Sequence, residues 1–237
     1  NVVHLLDRDC SVQRRHQKVV EEAPAPNLSP QVRDRIRTAA VDLCREVGYQ
    51  NAGTVEYLVR GDEAYFLEMN TRLQVEHPVT EEVTGTDLVA WQLAVAAGDP
   101  LPLSQEQIPA DGHAIEVRVY AEDPYSGFLP QTGQVADLWW PAEARIESVL
   151  AAGAEVSAAF DPMLAKIITA GDDRAEAIAA MLAALDSAAV FGPKTNLGFL
   201  RRVVASTTFG EARMDTGWLD SEPTEVLSEP TVPPVAI

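Results

Sequence analysis

The fold of this chain is decided by the stretch Phe66-Leu67-Glu68-Met69-Asn70-Thr71-Arg72-Leu73-Gln74-Val75-Glu76-His77-Pro78-Val79-Thr80-Glu81. Its polar side chains recur at every second position, which places five of them in one parity: Glu68, Asn70, Arg72, Gln74 and Glu76. In an extended chain, alternate side chains point to the same face. The alternation therefore predicts a strand face that presents a carboxylate, an amide, a guanidinium, a second amide and a second carboxylate.

A β-hairpin is predicted around the start of this stretch. Residues 54–60 and 64–70 read as two strands, and Gly61-Asp62-Glu63 reads as a three-residue loop between them. Carried back from that loop, the register places Glu56 opposite Glu68.

Two facing carboxylates need an explanation. Directly opposed residues have Cβ atoms about 4.5–5.5 Å apart, and like charges there are destabilising. A cation between Glu56 and Glu68, or a shared proton, would remove the repulsion. With the amide oxygen of Asn70 they form a hard ligand set, which suits Mg²⁺ or Mn²⁺ beside phosphate oxygens. A solvated hairpin with scattered acids is the alternative.

Residues 68–81 resemble the catalytic strand of the biotin carboxylases, which belong to the ATP-grasp superfamily, without a departure from that signature. Other ATP-grasp ligases keep the early Glu and Asn but lack the Gln74-Val75-Glu76-His77 segment. Asn70-Thr71-Arg72 with His77-Pro78 resembles the acyl-CoA carboxylase branch. Residues 8–24 form a second long match. Shorter matches are His113-Ala114-Ile115-Glu116-Val117-Arg118, Ala121-Glu122-Asp123-Pro124, Phe128-Leu129-Pro130, Asp161-Pro162-Met163-Leu164-Ala165-Lys166 and Thr195-Asn196.

The resemblance implies roles for the hairpin and for the residues after it. Glu56, Glu68 and Asn70 would ligate the metals that bridge ATP phosphates. Arg72 would bind bicarbonate through its planar guanidinium, unless it is only an exposed ion pair. Gln74 and the backbone of Val75 would complete the bicarbonate pocket. Glu76 would be the general base that deprotonates bicarbonate, unless it only forms a salt bridge with Arg72.

Four further residues receive roles from the resemblance. Gln13 and His16 would lie by the nucleotide, and Lys18 by bicarbonate and phosphate, although a short basic patch is usually solvated. Arg118 would stabilise the anion of biotin's ureido group. An ion pair between Arg118 and Glu116 is the alternative.

Bulk properties exclude several classes of protein. The formal net charge is −18, which argues against nucleic acid or an anionic membrane as a partner. No apolar run approaches the ~20 residues that span a bilayer. No signal peptide is visible, and two cysteines do not make a disulfide framework. The expected setting is the cytoplasm.

The start of the chain and its glycines predict a missing part. The chain opens on Asn1 in a strand-like run, and none of its 14 glycines belongs to a Gly-rich phosphate loop or a GxxxxGK motif. By resemblance, the N-terminal domain, the lid over the triphosphate and the first half of the ATP-grasp fold are absent. The expected fragment is the C-terminal half of a biotin carboxylase.

The predicted fold class is α+β. Residues 1–107 would form the C-terminal portion of an ATP-grasp domain with the catalytic hairpin. Residues 108–220 would form the biotin carboxylase C-terminal domain, an antiparallel sheet with packed helices. Residues 221–237, rich in Pro and Glu, would be a disordered tail or linker. Other predicted elements are a strand at 16–22 and helices from Ser29-Pro30, at 86–97, at 174–187 and from about Asn196.

The predicted function is ATP- and bicarbonate-dependent carboxylation of biotin through carboxyphosphate. Its expected partners are a biotin carboxyl carrier domain, a carboxyltransferase, the missing N-terminal half and a second copy in a homodimer. The fragment alone is expected to be inactive. The alternatives are a non-catalytic folding and dimerisation half, or another bicarbonate-using ATP-grasp ligase. The acceptor, an acyl-CoA or urea, stays open.

Overall fold

The computed structural model describes residues 1–221 and 223–228. It confirms the α+β class, with antiparallel strand pairs and packed helices. The strands are β1 Asp9–Arg14, β2 Gln17–Ala23, β3 Thr54–Arg60, β4 Glu63–Asn70, β5 His113–Tyr120, β6 Glu122–Asp123, β7 Leu129–Pro130, β8 Gly133–Gln134, β9 Asp137–Trp139, β10 Arg145–Ser148, β11 Glu155–Val156, β12 Met163–Gly171 and β13 Ala189–Phe191. The helices are α1 Pro30–Glu46, α2 His77–Thr84, α3 Leu88–Ala97, α4 Arg174–Ser187, α5 Leu197–Ala205, α6 Thr207–Gly210 and α7 Thr224–Leu227.

The chain divides into two compact units. The first unit comprises residues 1–9, 21–116 and 170–177, and the second comprises residues 10–20, 117–169 and the described residues from 178 onward. Strands β2, β5 and β12 therefore each contribute residues to both units. The domain boundary predicted near residue 107 stays a prediction.

The largest sheet has five strands in the order β1-β2-β5-β12-β10. All eight residues of β5 are buried, so this strand is covered on both faces. Strand β10 pairs antiparallel with β12, with Arg145 opposite Ile168. Burial of a polar or charged side chain costs free energy unless the side chain is hydrogen-bonded or paired. The buried charged residues Glu116 and Arg118 on β5 therefore need compensating interactions.

Helix α1 begins as its sequence predicts. Ser29 is the N-cap, its hydroxyl accepts a hydrogen bond from the backbone N–H of Val32, and Pro30 occupies the first turn. Two arginines of α1, Arg33 and Arg37, bind the buried carboxylate of Asp7.

These arginines also tie the chain before α1 to the helix. Arg33 donates to the carbonyl of Ala25 at 2.7 Å, and the N–H of Ala25 donates to Asp7 at 3.0 Å. The connector between β2 and α1 is therefore held by charged groups in the first unit.

Helices α4 and α5 both carry buried apolar side chains. Helix α4 has the bounds that the sequence predicts, and Met181 on it is fully buried. On α5, Phe199, Leu200 and Val203 are buried. Apolar side chains at positions three and four apart lie on one helix face, which explains the burial.

The end of the chain differs from the expected disordered tail. Residues 224–227 form the short helix α7, with Val226 buried, so disorder is wrong there. Residues 222 and 229–237, the rest of the predicted tail, lie outside the described residues. No helix in residues 1–221 and 223–228 has the length and apolar character needed to span a membrane.

Candidate active site

The hairpin of β3 and β4 brings Glu56 opposite Glu68 and Thr54 opposite Asn70, which confirms these two predicted pairs. The predicted loop is wrong, because the turn has two residues, Gly61 and Asp62, and Arg60 pairs with Glu63. Gly61 has a φ of +58°. A left-handed φ at the first loop position is the requirement of a two-residue type II′ turn.

A β-bulge reconciles the short turn with the correct pairing of the acids. Tyr57 pairs with Phe66 but Glu56 pairs with Glu68, so Leu67 is the extra residue on β4. A two-residue turn without this bulge would place Glu56 opposite Leu67. The irregularity therefore creates the carboxylate pair, in keeping with the use of bulges to re-aim side chains near functional sites.

The three predicted metal ligands converge on this hairpin. The Asn70 Nδ2 donates to Glu56 Oε1 at 3.2 Å and to Glu68 Oε1 at 3.0 Å. The amide thus bridges the two carboxylates and offsets their repulsion. Because the oxygen and nitrogen of an amide exchange places by rotation, the same set can present three oxygens to a cation.

The donor chemistry therefore fits Mg²⁺ or Mn²⁺. In residues 1–221 and 223–228, no group of three His, Cys, Asp or Glu side chains is arranged to hold a metal. The hairpin set accordingly depends on Asn70 as its third ligand.

The alternating strand face predicted beyond Asn70 is wrong. Strand β4 ends at Asn70, residues 71–76 are irregular, and α2 begins at His77. Glu76 is the N-cap residue of this helix. The N–H of His77 donates to the carbonyl of Gln74 at 3.2 Å, which closes a tight turn. The shared parity of these residues does not place them on one face, since the chain turns between them.

The three side chains after the hairpin have different environments. Arg72 is exposed and donates to the carbonyl of Leu73 at 3.2 Å. In the described part of the chain it forms no ion pair, so the predicted alternative of a salt bridge with Glu76 is wrong. Glu76 is only 1% exposed.

Gln74 carries a buried donor that fits an anion. The residue is 6% exposed, and no hydrogen-bond partner of its Nε2 is found among the described residues. A buried donor without a partner costs about 1–3 kcal/mol. An acceptor from a ligand, such as a bicarbonate oxygen, would remove that cost.

An arginine that was assigned no role connects the two parts of this site. Arg8 donates from Nη1 to Thr80 Oγ1 on α2 and from Nη2 to Thr54 Oγ1 on β3, both at 2.9 Å. Thr54 is the residue opposite Asn70. Arg8 lies in the second matched stretch, but nothing in its sequence context indicates contacts 46 and 72 residues away.

The predicted nucleotide and phosphate residues lie in the second unit. Gln13 is on β1 and Lys18 on β2, both half-buried. His16 does not begin a strand as predicted, because Arg15 and His16 form the turn with φ of +48° and +65°. The Arg15 N–H donates to Asp220 at 3.0 Å. This contact helps to hold two residues in a backbone conformation that non-glycine residues rarely adopt.

Arg118 is 9% exposed on β5 and is held by a residue that was assigned no role. Asn196 accepts from the Tyr120 N–H at 2.8 Å and donates to the Arg118 carbonyl at 3.0 Å. It is 1% exposed. The Asn196 side chain thus holds the backbone at the end of β5 by two hydrogen bonds. In the sequence, only the family resemblance of Thr195-Asn196 points to Asn196 as a residue with a role.

The Glu122-Asp123 pair, in another matched segment, has perturbed acidity. Burial raises the pKa of Glu122, against the opposing effect of the Arg14 guanidinium. A hydrogen bond from Lys194 lowers the pKa of Asp123. A cleft of about 250 Å³ lies beside them and is lined by residues 123–126, 194 and 195. None of the predicted site residues lines this cleft.

Comparison with known proteins identifies both halves of the chain. Residues 1–104 match the family model described as carbamoyl-phosphate synthase L chain, ATP binding domain, and residues 116–221 match that of the biotin carboxylase C-terminal domain. The chain is 46% identical to the mitochondrial methylcrotonoyl-CoA carboxylase subunit alpha of Arabidopsis thaliana, over 98% of this chain and 32% of that protein. It is 51% identical to the biotin carboxylase of Halalkalibacterium halodurans, over 90% of this chain and 48% of that protein.

Solved structures agree with these relatives. Urea carboxylase of Kluyveromyces lactis has a TM-score of 0.90 and 47% identity over 92% of this chain and 20% of its own. The biotin carboxylase domain dimer of Hydrogenobacter thermophilus 2-oxoglutarate carboxylase, in complex with MgADP, ADP and bicarbonate, has a TM-score of 0.93 and 39% identity over 98% of this chain and 51% of its own.

The chain therefore spans a third to a half of the curated relatives named above. Because the two family models together match nearly all of it, and because these relatives and solved structures are biotin-dependent carboxylases or parts of them, the chain belongs to the biotin carboxylase family.

Proposed function

We propose that this chain supplies the metal and bicarbonate end of a biotin carboxylase, which carboxylates biotin at the expense of ATP. The observation that carries the proposal is the convergence of Glu56, Glu68 and Asn70 on one hairpin. The neighbouring turn adds an exposed guanidinium and a buried amide donor without a described partner.

Glu56, Glu68 and Asn70 would hold Mg²⁺ or Mn²⁺. When bound, the metal would neutralise charge on the transferred phosphoryl group. Bicarbonate is a planar anion that matches the fork of Arg72. Gln74 Nε2 and the Val75 backbone would complete its pocket.

Glu76 would accept the bicarbonate proton. Its side chain is 1% exposed, and a carboxylate within hydrogen-bond reach of a bound acid can act as a general base. The deprotonated oxygen then attacks the γ-phosphate of ATP and gives carboxyphosphate and ADP. Arg72 compensates the negative charge that collects on the bicarbonate oxygens.

The family resemblance implies roles for four further residues. Gln13 and His16 are proposed to lie by the nucleotide, and Lys18 by phosphate and bicarbonate. Arg118 is proposed to bind the ureido oxygen of biotin, which would arrive on a carrier domain. Asn196 would keep the backbone at Arg118 in place.

The proposed setting is an acyl-CoA carboxylase, in which a carboxyltransferase passes the carboxyl group on. The methylcrotonoyl-CoA carboxylase relative supports this acceptor class, and the urea carboxylase structure keeps urea as the competing acceptor. The remaining residues of the whole enzyme would supply the lid over the triphosphate. A homodimer is proposed because the Hydrogenobacter domain is described as a dimer.

Two alternatives to this proposal are another bicarbonate-using ATP-grasp ligase and a non-catalytic folding half. The biotin carboxylase C-terminal domain match at residues 116–221 disfavours a carbamoyl-phosphate-forming ligase. Without the rest of the enzyme, residues 1–237 are expected to act only in folding and assembly. The cytoplasm stays a prediction for the compartment, since the Arabidopsis relative is described as mitochondrial.

The test is phosphate release from ATP by the full-length protein, with bicarbonate, with and without free biotin. We expect release that biotin stimulates and that Glu76→Gln lowers by about 10²–10⁴-fold. Glu82→Gln, an exposed acid of the same helix, is the matched control. Release that ignores biotin would indicate a different ATP-grasp ligase. Release that survives Glu76→Gln would exclude this residue as the base.

A further inference from the structure

His77 lies at the first position of α2 and contacts the turn that carries the anion-binding residues. Its Nδ1 is 2.9 Å from the carbonyl oxygen of Gln74. Its backbone N–H donates to the same oxygen at 3.2 Å. A carbonyl oxygen only accepts, so the Nδ1 of His77 carries a proton. One residue therefore holds Gln74 by two hydrogen bonds.

The other side of the imidazole faces a fixed carboxylate. His77 Nε2 is 4.0 Å from Glu81 Oε2, one helical turn further along α2. Glu81 Oε1 accepts the N–H of Leu88, the first residue of α3, at 2.7 Å. The side chains of His77 and Glu81 are 13% and 8% exposed. The imidazole is thus enclosed between the turn and a carboxylate that α3 anchors.

The hydrogen bonds from His77 hold the residue whose side-chain amide is proposed to bind bicarbonate, Gln74. Gln74 Nε2 is buried without a partner among the described residues, and His77 holds the backbone carbonyl of the same residue. Donors that stabilise an anion are effective when they are oriented before the ligand arrives. Misplacement by about 1 Å can cost about 10²-fold in rate.

We propose that His77 is a positioning residue for the bicarbonate pocket, which acts by holding the Gln74 carbonyl through Nδ1–H. The inference rests on the proposed function, because it takes bicarbonate as the ligand of Gln74. His77 does not touch bicarbonate itself. Its effect reaches the anion through the orientation of Gln74 and of Glu76 in the same turn.

A purely structural role makes a different prediction. If His77 only packed the start of α2, its replacement would lower stability and affect the KM values for bicarbonate and ATP alike. A positioning role changes the bicarbonate KM selectively. It also depends on which ring nitrogen is replaced, because the two nitrogens have different partners.

Two amide variants separate the nitrogens in the full-length protein. The side-chain nitrogen of Asn reaches as far as Nδ1, so His77→Asn keeps a donor for the Gln74 carbonyl. The amide of Gln reaches as far as Nε2, so His77→Gln keeps only the contact with Glu81. We expect His77→Gln to raise the bicarbonate KM roughly tenfold with the ATP KM unchanged. The bicarbonate KM of His77→Asn should stay close to that of the unaltered protein.

The matched control is His4→Asn, since His4 contacts Leu6 and Gln105 away from this turn. Its bicarbonate KM should equal that of the unaltered protein. Equal bicarbonate KM values for His77→Asn and His77→Gln, or a joint rise of both KM values, would overturn the positioning role.

A spectroscopic measurement tests the inference without turnover. In protein labelled with ¹⁵N-histidine, His77 should show a protonated Nδ1, identified by its loss in His77→Gln. An unprotonated Nδ1 would overturn the proposal. Absence of bicarbonate-dependent phosphate release in the unaltered protein would instead refute the proposed function, and the state of Nδ1 would still decide whether His77 holds the turn.

Discussion

The two parts of the candidate site are built in different ways. The metal part is a β-hairpin in which Glu56, Glu68 and Asn70 converge through strand pairing and mutual hydrogen bonds. The anion part is an irregular turn at residues 71–76 followed by α2, which is buried over most of its length. Strand pairing determines the arrangement of the metal part, and tertiary contacts determine the arrangement of the anion part.

This difference predicts where substitutions should affect ligand binding and where they should also affect folding. In the hairpin, the side chains of β4 are mostly exposed, so the acids are held by strand pairing and by the amide of Asn70. In the turn, Gln74 and Glu76 are buried, and His77 bonds the carbonyl of Gln74. Substitutions in the hairpin should therefore alter ligand binding, and substitutions of the buried turn residues Gln74 and Glu76 should alter both binding and folding.

Besides Glu76→Gln, the largest effect is expected for Glu68→Gln. It removes one charged ligand from the metal set, and a catalytic metal contributes several kcal/mol to the transition state, so kcat should fall about a hundredfold or more. Turnover of the full-length protein across a Mg²⁺ or Mn²⁺ titration is the measurement. Glu63→Gln, an exposed acid on the same strand, is the control. Equal activity of the two variants would remove Glu68 from the metal site.

The next largest effect is expected for Arg72, an exposed residue of the turn, whose replacement should change bicarbonate binding but not stability. Arg72→Gln should raise the bicarbonate KM about 10–100-fold, since hydrogen bonds to charged groups contribute about 1.5–3 kcal/mol. Stability should change by less than about 0.5 kcal/mol, because Arg72 is exposed. Bicarbonate kinetics and urea unfolding check the two parts. Arg60→Gln at the end of β3 is the control, and a large loss of stability in Arg72→Gln would contradict the expectation.

The connection between the two parts is tested at Arg8. Arg8→Lys keeps the charge but loses the planar fork that reaches Thr54 and Thr80. We expect a loss of about 1–3 kcal/mol in the free energy of unfolding, measured in urea. Thr54→Val in the Arg8→Lys background should add little, because its partner is already altered. Full additivity of the two substitutions would show that Arg8 and Thr54 act independently.

The smallest effect compares the turn of the hairpin with the end of α2. Gly61 and Gly85 have φ of +58° and +59°, and nothing lies within 4 Å of an added Cβ at either. Gly61→Ala and Gly85→Ala should each cost about 1–2 kcal/mol from backbone strain alone. Urea unfolding of both variants is the measurement. Unequal losses would show that one site has a further constraint.

Several features follow from local sequence alone. Ser29-Pro30 begins α1, the bounds of α4 agree with its apolar stripe, and Glu56 faces Glu68 as the strand pattern predicts. Capping, helical periodicity and strand pairing act over a few residues, so they can be read from neighbouring positions. The prediction of the acid pair was correct although its loop was wrong, because the bulge at Leu67 compensates for the shorter turn.

Other features depend on residues distant in the sequence. The turn after Asn70 and helix α2 were not predicted, because the alternating polarity there favours a strand. The bonds from Arg8, the hold of Asn196 on β5 and the contact of Glu81 with Leu88 join residues 7 to 78 positions apart. Periodicity contains no information on such contacts.

By itself, the sequence determined which chemistry this protein carries: two acids and an amide for a metal, and a guanidinium, an amide and an acid for an anion. Side-chain type is independent of folding, and the family resemblance rests on it. Only the folded structure shows which groups are buried, which are exposed and which donor has no partner among residues 1–221 and 223–228. Burial and hydrogen bonding depend on the packing of distant segments, so they emerge only when the chain has folded.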